Sequence, residues 1–273
     1  MIQESSVPIT DLNYIDYHYK QWKELTYEQQ VFRANNTKIA GNFSFENNQW
    51  TAQSYYGFGM ISMLNHHEKN FILSQLLFET QLQLMSLLEE KTSLKIHEKI
   101  YLLPEESFHQ TIANALSNLR YDQHISEQNL TNSYPSIIHD SLQQYKSVFN
   151  DKTLRMKMIG LGIFGNAIGV LGVFNDPFEY NSIVHFRNHF YQHELIKNMG
   201  IQQTRPFIGH ITLAYLESDL SLVEKKALVE TTTIINEVWQ NEKNIFYIDQ
   251  TSLTSFSNLA SFNVTPNIHP IHF

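Results

Sequence analysis

Phe108-His109-Gln110-Thr111-Ile112-Ala113 and Gly209-His210-Ile211-Thr212-Leu213-Ala214 share the pattern His-x-Thr-aliphatic-Ala, about one hundred residues apart. Each string lies in an apolar run with the character of a strand. On a strand, residues two apart project from the same face, so each string presents an imidazole and a hydroxyl side by side. The alternate residues face the opposite way.

The pattern needs its context, because with 13 His in the chain roughly one His-x-Thr arises by chance. His124-Ile125-Ser126 and His139-Asp140-Ser141 fit a looser rule but stand in polar, non-alternating surroundings. The two principal strings differ from them in carrying an aliphatic residue and Ala after the Thr. Each also follows one long helical pattern and precedes another. Two such presentations facing each other would suit phosphodiester chemistry.

A chain of 273 residues can bury a sizeable core as one large domain or two lobes. Charged residues make up only 17% and Pro is sparse, which argues against extended disorder. The net charge of −8 gives no general attraction for duplex DNA, which needs a clustered basic surface, while a small nucleotide or an RNA end remains compatible. No Cys is present, so disulfides, Cys nucleophiles and thiolate metal sites are excluded. Residues 1–12 show neither the basic start nor the apolar core of a secretory signal, and the most apolar stretch, residues 159–174, is broken by five Gly. A cytoplasmic protein without a membrane partner is the expectation.

Residues 1–50 are rich in Gln, Asn and Tyr, with helix-like patches over residues 14–33, and read as an N-terminal appendage. From residue 51 onward the order is a strand at 55–64, a helix at 70–89 and a strand at 99–113 holding His109. A loop-like insertion at 114–134 and a helix at 135–149 follow. Strands at 154–164 and 167–174 form a hairpin around Gly165-Asn166, a pair suited to the positive φ of a tight turn. A helix at 182–198, a strand at 207–216 holding His210, a helix at 221–241 and a hairpin of 245–256 with 259–264 complete the chain. The order of elements repeats, giving lobes of about 51–165 and 166–273 with room for strand exchange. Gly160-Leu161-Gly162-Ile163-Phe164-Gly165 spells a dinucleotide fingerprint, but that motif must open a helix and here a β-rich run follows.

On these two His-x-Thr strands, each within a strand-helix-strand unit, the chain resembles the 2H phosphoesterase superfamily over residues 54–264. The segment Leu102-Leu103-Pro104-Glu105-Glu106-Ser107-Phe108-His109-Gln110-Thr111 is similar to the first motif of a poorly characterised bacterial branch. The resemblance implies a bilobal α+β fold whose two antiparallel sheets face a central cleft, with helices outside. It implies His109 and His210 as general acid and base, Thr111 and Thr212 as phosphate ligands, and no cofactor. The implied reaction is metal-independent cleavage of a cyclic nucleotide, a 2′,3′-cyclic RNA end or a 2′-linked oligonucleotide. Arg205 is a candidate phosphate ligand because guanidinium grips phosphate bidentately. In the family a Pro lies close before the second His, whereas here Arg205-Pro206 stands further upstream.

A non-catalytic module that binds a nucleotide or RNA end is the alternative, with the same cleft and the chemistry absent. A further candidate is the ladder His185, His189 and His193, whose four-residue spacing can chelate a transition metal, with Glu194, His269 and His272 as additional ligands. The ladder lacks the carboxylate of a zincin helix, so a solvated face is its ordinary reading. Tyr56, Phe58, Phe108, Phe207 and Tyr215 are aromatics that either stack on a base or fill the core.

Overall fold

Gly165 has a φ of +62°, a conformation Gly adopts without the Cβ penalty, and it turns the chain between two strands whose residues Phe164 and Ala167 pair directly. The computed structural model describes residues 9–148, 152–239 and 244–273. Its helices are α1 (Tyr14–Glu24), α2 (Tyr27–Asn35), α3 (Phe71–Lys91), the single turn α4 (Leu119–Tyr121), α5 (Tyr134–Leu142), α6 (Pro177–Gln192), α7 (Glu194–Asn198) and α8 (Leu222–Trp239). Its strands are β1 (Phe43–Glu46), β2 (Gln49–Ala52), β3 (Gly57–Met63), β4 (Ile100–Leu102), β5 (His109–Ser117), β6 (Leu154–Phe164), β7 (Ala167–Phe174), β8 (Gly209–Leu216), β9 (Ile245–Ile248), β10 (Gln250–Asn258), β11 (Ser261–Val264) and β12 (Ile271–His272).

The fold is α+β, with two antiparallel sheets besides the small β1–β2 hairpin. One sheet has the order β11-β10-β3-β5, with β12 also on β10; the other has the order β4-β8-β7-β6-β9. Each carries one His-x-Thr strand. The hairpin at residues 154–174 stands where the sequence puts it, and the Gly-x-Gly-x-x-Gly run is strand and turn rather than a helix start.

Two expected strands are each split between the sheets. Residues 99–113 divide into β4 and β5, because Pro104 supplies no N–H for a ladder and Glu105–Ser107 make one helical turn closed by Ser107 Oγ donating to the Pro104 carbonyl at 2.7 Å. Residues 245–256 divide into β9 and β10 at Asp249. Asn70 holds that crossing: its Oδ1 accepts from Tyr247 N at 2.8 Å and its Nδ2 donates to Tyr247 O at 3.0 Å. The sheets consequently do not follow a cut at residue 165. β6 stays with β7, β4 crosses to the second sheet, and β10, β11 and β12 cross to the first.

Other boundaries shift as well. β5 runs three residues past Asn114 into the expected insertion before α4 begins. α5 ends at Leu142, and Phe149 lies outside the described residues, as does Asn241 at the expected end of α8. The last hairpin turns at Leu259-Ala260, with Asn258 Oδ1 accepting from Ala260 N, so Ser257-Asn258 belongs to the strand.

The N-terminal helix α1 packs on the second sheet. Tyr17 is buried, stacks on Tyr180 at 4.3 Å, and donates its hydroxyl to the Gly172 carbonyl at 2.7 Å. An aromatic pair of this kind contributes about 1 kcal/mol beyond its area. α3, with the turn before it (Glu68–Lys91), is the one segment among the described residues long and apolar enough to cross a membrane. Leu73, Leu77, Leu84 and Leu88 are buried in the main core, and Gln81 Nε2 bridges the carbonyls of Leu103 and Leu213. That is the inward face of a core helix.

Candidate active site

The pleat of β5 and β8 turns His109, Thr111, His210 and Thr212 into one cavity of about 200 Å³ between the sheets, and Arg205 lines it too. All five residues singled out in the sequence therefore meet. β5 holds its pair opposite Met63 and Ile61 of β3, and β8 holds its pair opposite Leu171 and Gly169 of β7. Gly169 has no room for a side chain, since a Cβ there would lie 2.5 Å from the Ile211 carbonyl. Close approach of β7 to the second motif depends on that Gly.

The two imidazoles are held alike. His109 Nδ1 lies 2.7 Å from the Ser107 carbonyl and His210 Nδ1 lies 2.9 Å from the Ile208 carbonyl. A carbonyl only accepts, so each Nδ1 carries the proton and each Nε2 keeps its lone pair. Each ring also has an aromatic neighbour, Phe262 at 4.3 Å from His109 and Phe164 at 5.4 Å from His210. These contacts fix ring orientation, as a general acid or base requires.

Burial pushes the His109 pKa below the ordinary value, against the opposing pull of the Ser107 carbonyl. Burial, the Arg205 charge and His109 together push His210 down to about 4. Both rings are thus neutral at pH 7 in the free protein. During acidification the unfolded chain binds protons near the ordinary His value of about 6.5, before the native sites do. Stability should therefore fall from about pH 6.5 toward about 4 and level off below the His210 midpoint. Thermal melts across this window should show the wild type losing stability relative to His210→Ala; a constant difference would contradict the assignment.

The cavity's charge is one-sided. Among the described residues that line it, Arg205 is the one cation and none is Asp or Glu. Among the described residues no carboxylate forms an ion pair with Arg205. Arg205 is exposed to solvent, and its guanidinium stays charged at any working pH. A guanidinium beside two imidazoles and two hydroxyls is a donor set whose chemistry suits an anion.

Of the aromatics named from sequence, Phe58 and Tyr215 line the cavity, joined by Tyr55, Phe256 and Phe262. Phe108 and Phe207 are core residues, while Tyr56 is exposed and stacks on Tyr121. The helical His ladder does not line this cavity. His189 Nε2 lies 3.1 Å from the Ser141 carbonyl, His185 and His189 flank Tyr145, and His193 leaves the helix to cap α7. No group of three or more metal-ligating side chains occurs among the described residues.

Sequence reasoning missed Gln110 and the pair Asp11–Arg187. Gln110 is fully buried, and its Oε1 accepts the His210 backbone N–H at 2.6 Å. Arg187 and Asp11 form a buried ion pair at 3.0 Å behind Arg205. For Gln110 and Arg187 the signal was a polar residue on the inward side of an otherwise apolar strand or helix, where every polar atom needs a partner; Asp11, in the segment before α1, carried no such signal.

No family model matches this chain, and no curated protein matches it. Among solved structures it is similar to a conserved protein of unknown function, ATU0111, from Agrobacterium tumefaciens, with a TM-score of 0.52 and 15% identity over 83% of this chain and 90% of that one. It also matches TT0787 of Thermus thermophilus, with a TM-score of 0.42 and 11% identity over 80% of this chain and 100% of the other. The first likeness bears on the α+β fold alone.

Proposed function

We propose that the cavity is the active site of a 2H-type phosphoesterase that cleaves a cyclic or 2′-linked phosphodiester of a nucleotide or RNA end without a metal ion. The observation that carries the reading is the delivery of His109, Thr111, His210, Thr212 and Arg205 into one cavity whose described lining holds no carboxylate. The duplicated, bilobal form of the fold belongs to the same proposal. It is supported by the matched treatment of the two motifs: one per sheet, each imidazole on a carbonyl two residues upstream, each facing a Phe.

In the reaction, Nε2 of one neutral imidazole takes a proton from water or a ribose hydroxyl as that oxygen attacks phosphorus. The other imidazole, protonated, gives its proton to the departing ester oxygen, so the pair ends with its protons exchanged. The Thr hydroxyls and the Arg205 guanidinium donate to the non-bridging oxygens as charge builds on them. A bound diester anion offsets the burial and the Arg205 charge that keep the imidazoles neutral, so the acid imidazole takes up its proton from solvent as the substrate binds. Two imidazoles without a carboxylate are a poor donor set for a divalent ion, which is the ground for a reaction run on protons alone.

The test is a panel of 2′,3′-cyclic and 3′,5′-cyclic mononucleotides, RNA with a 2′,3′-cyclic phosphate end and 2′,5′-linked oligonucleotides, with products identified. One class should be opened at a single ester bond, at a rate unchanged by EDTA once metal content has been measured before and after. Loss of activity with the metal and its return on adding zinc or manganese would overturn the mechanism. Binding of a panel member without turnover would turn the reading into a nucleotide-binding module.

A further inference from the structure

We infer that Gln110 is the positioning residue that couples the two His-x-Thr strands and sets His210 relative to His109; this rests on the phosphoesterase reading only for its kinetic consequence. Gln110 is the middle residue of the first motif, so its side chain leaves the opposite side of β5 from His109 and Thr111. There it is fully buried. Its amide is used at both ends. Oε1 accepts from His210 N at 2.6 Å, and Nε2 donates to the Ile208 carbonyl at 3.2 Å and to the Thr111 carbonyl at 2.7 Å.

The Ile208 carbonyl is the one on which His210 Nδ1 rests. Gln110 thus holds His210 twice, by its backbone N–H and by the carbonyl that fixes its tautomer. β5 and β8 lie in different sheets and share no ladder, so this amide spans the gap that ladder bonds leave. His109 leans instead on Ser107, within its own strand's entry turn. Removing the amide should loosen one imidazole and leave the other in place.

The test uses the full 15N-labelled chain bearing Gln110→Met, which keeps side-chain length and apolar volume but has neither donor nor acceptor. Ring-nitrogen correlations in the NMR spectrum should show His210 losing the single Nδ1–H tautomer, with His109 and His189 unchanged. With the phosphodiester found in the panel above, kcat should drop on the order of a hundredfold, as for a misplaced reacting group, with KM within about threefold. An unchanged His210 ring pattern, or a change in KM alone, overturns the inference. Should Gln110→Met fail to fold by circular dichroism, Gln110→Glu keeps the acceptor for His210 N–H and lacks the donor for Ile208, and the same ring signals decide. The ring measurement needs no substrate, so a chain that proved inactive on every diester would refute the phosphoesterase reading and leave this test intact.

Discussion

Alanine at His109 or at His210 is expected to lower turnover on the true substrate at least a hundredfold, with the fold retained, because each ring handles a different proton of one step. The double variant should be little worse than either single one, since acid and base act as a unit and losses within such a unit do not add. Removing His210 also relieves a buried, depressed base, so the His210→Ala protein should melt no lower than wild type at pH 5. Thr111→Val and Thr212→Val keep the branched shape of the strand residue and delete only the hydroxyl. Their losses should be intermediate, at roughly tenfold to a hundredfold, the scale of one hydrogen bond to a charged group. Steady-state kinetics on all five variants checks the ordering. Wild-type turnover in either His variant would remove the paired-imidazole mechanism altogether.

The grouping of the candidate site residues was legible in sequence because the strand period is two, and a two-residue period with His and Thr on one face needs no tertiary information to read. Arg205 was legible for a chemical reason, as a guanidinium in a loop just before the second motif strand. What could not be read was partition between the sheets. An apolar run such as residues 99–113 looks the same whether it is one strand or two, and only the crossing at Pro104, anchored by Ser107, shows that β4 and β5 go to different sheets. The same holds at Asp249, where the crossing depends on Asn70, 179 positions earlier (249 − 70). Side chains that act across such separations leave no local period. The N-terminal helices were underrated for a related reason: their Gln and Tyr content looks like a polar surface, yet Gln21 Nε2 donates to both the Gly172 and Gly209 carbonyls in the interior. Gly209 immediately precedes His210, and a Cβ there would collide with the Tyr17 hydroxyl and the Gly172 carbonyl. α1 therefore packs directly beneath the start of the second motif.

The second large effect is expected at Asp11 and Arg187, each 2% exposed at the side chain. Arg187 spends its guanidinium on three elements: Nε on the Asp11 carboxylate, Nη1 on the Ile112 carbonyl at 2.6 Å, and Nη2 on the Arg205 carbonyl at 2.9 Å. Asp11 in turn accepts from Phe207 N at 2.6 Å. The pair thus clamps the backbone on both sides of Pro206 and ties it to β5, immediately behind the cavity. Deleting one partner leaves the other as an unpaired buried charge, a change that costs about 3–5 kcal/mol. Asp11→Ala and Arg187→Ala should each lower the melting temperature by roughly 10 °C, given the few degrees per kcal/mol usual for chains of this size. The double variant should lose clearly less than the sum, because the second deletion removes a charge already stranded by the first. Arg205 is expected to lose its fixed placement as well, so weaker binding of the phosphodiester should accompany the loss of stability in whichever single variant remains folded. Melting curves for the two single variants and the double variant decide the matter: single variants within a degree or two of wild type, or strictly additive losses, would show that the buried pair does not hold the Arg205 loop.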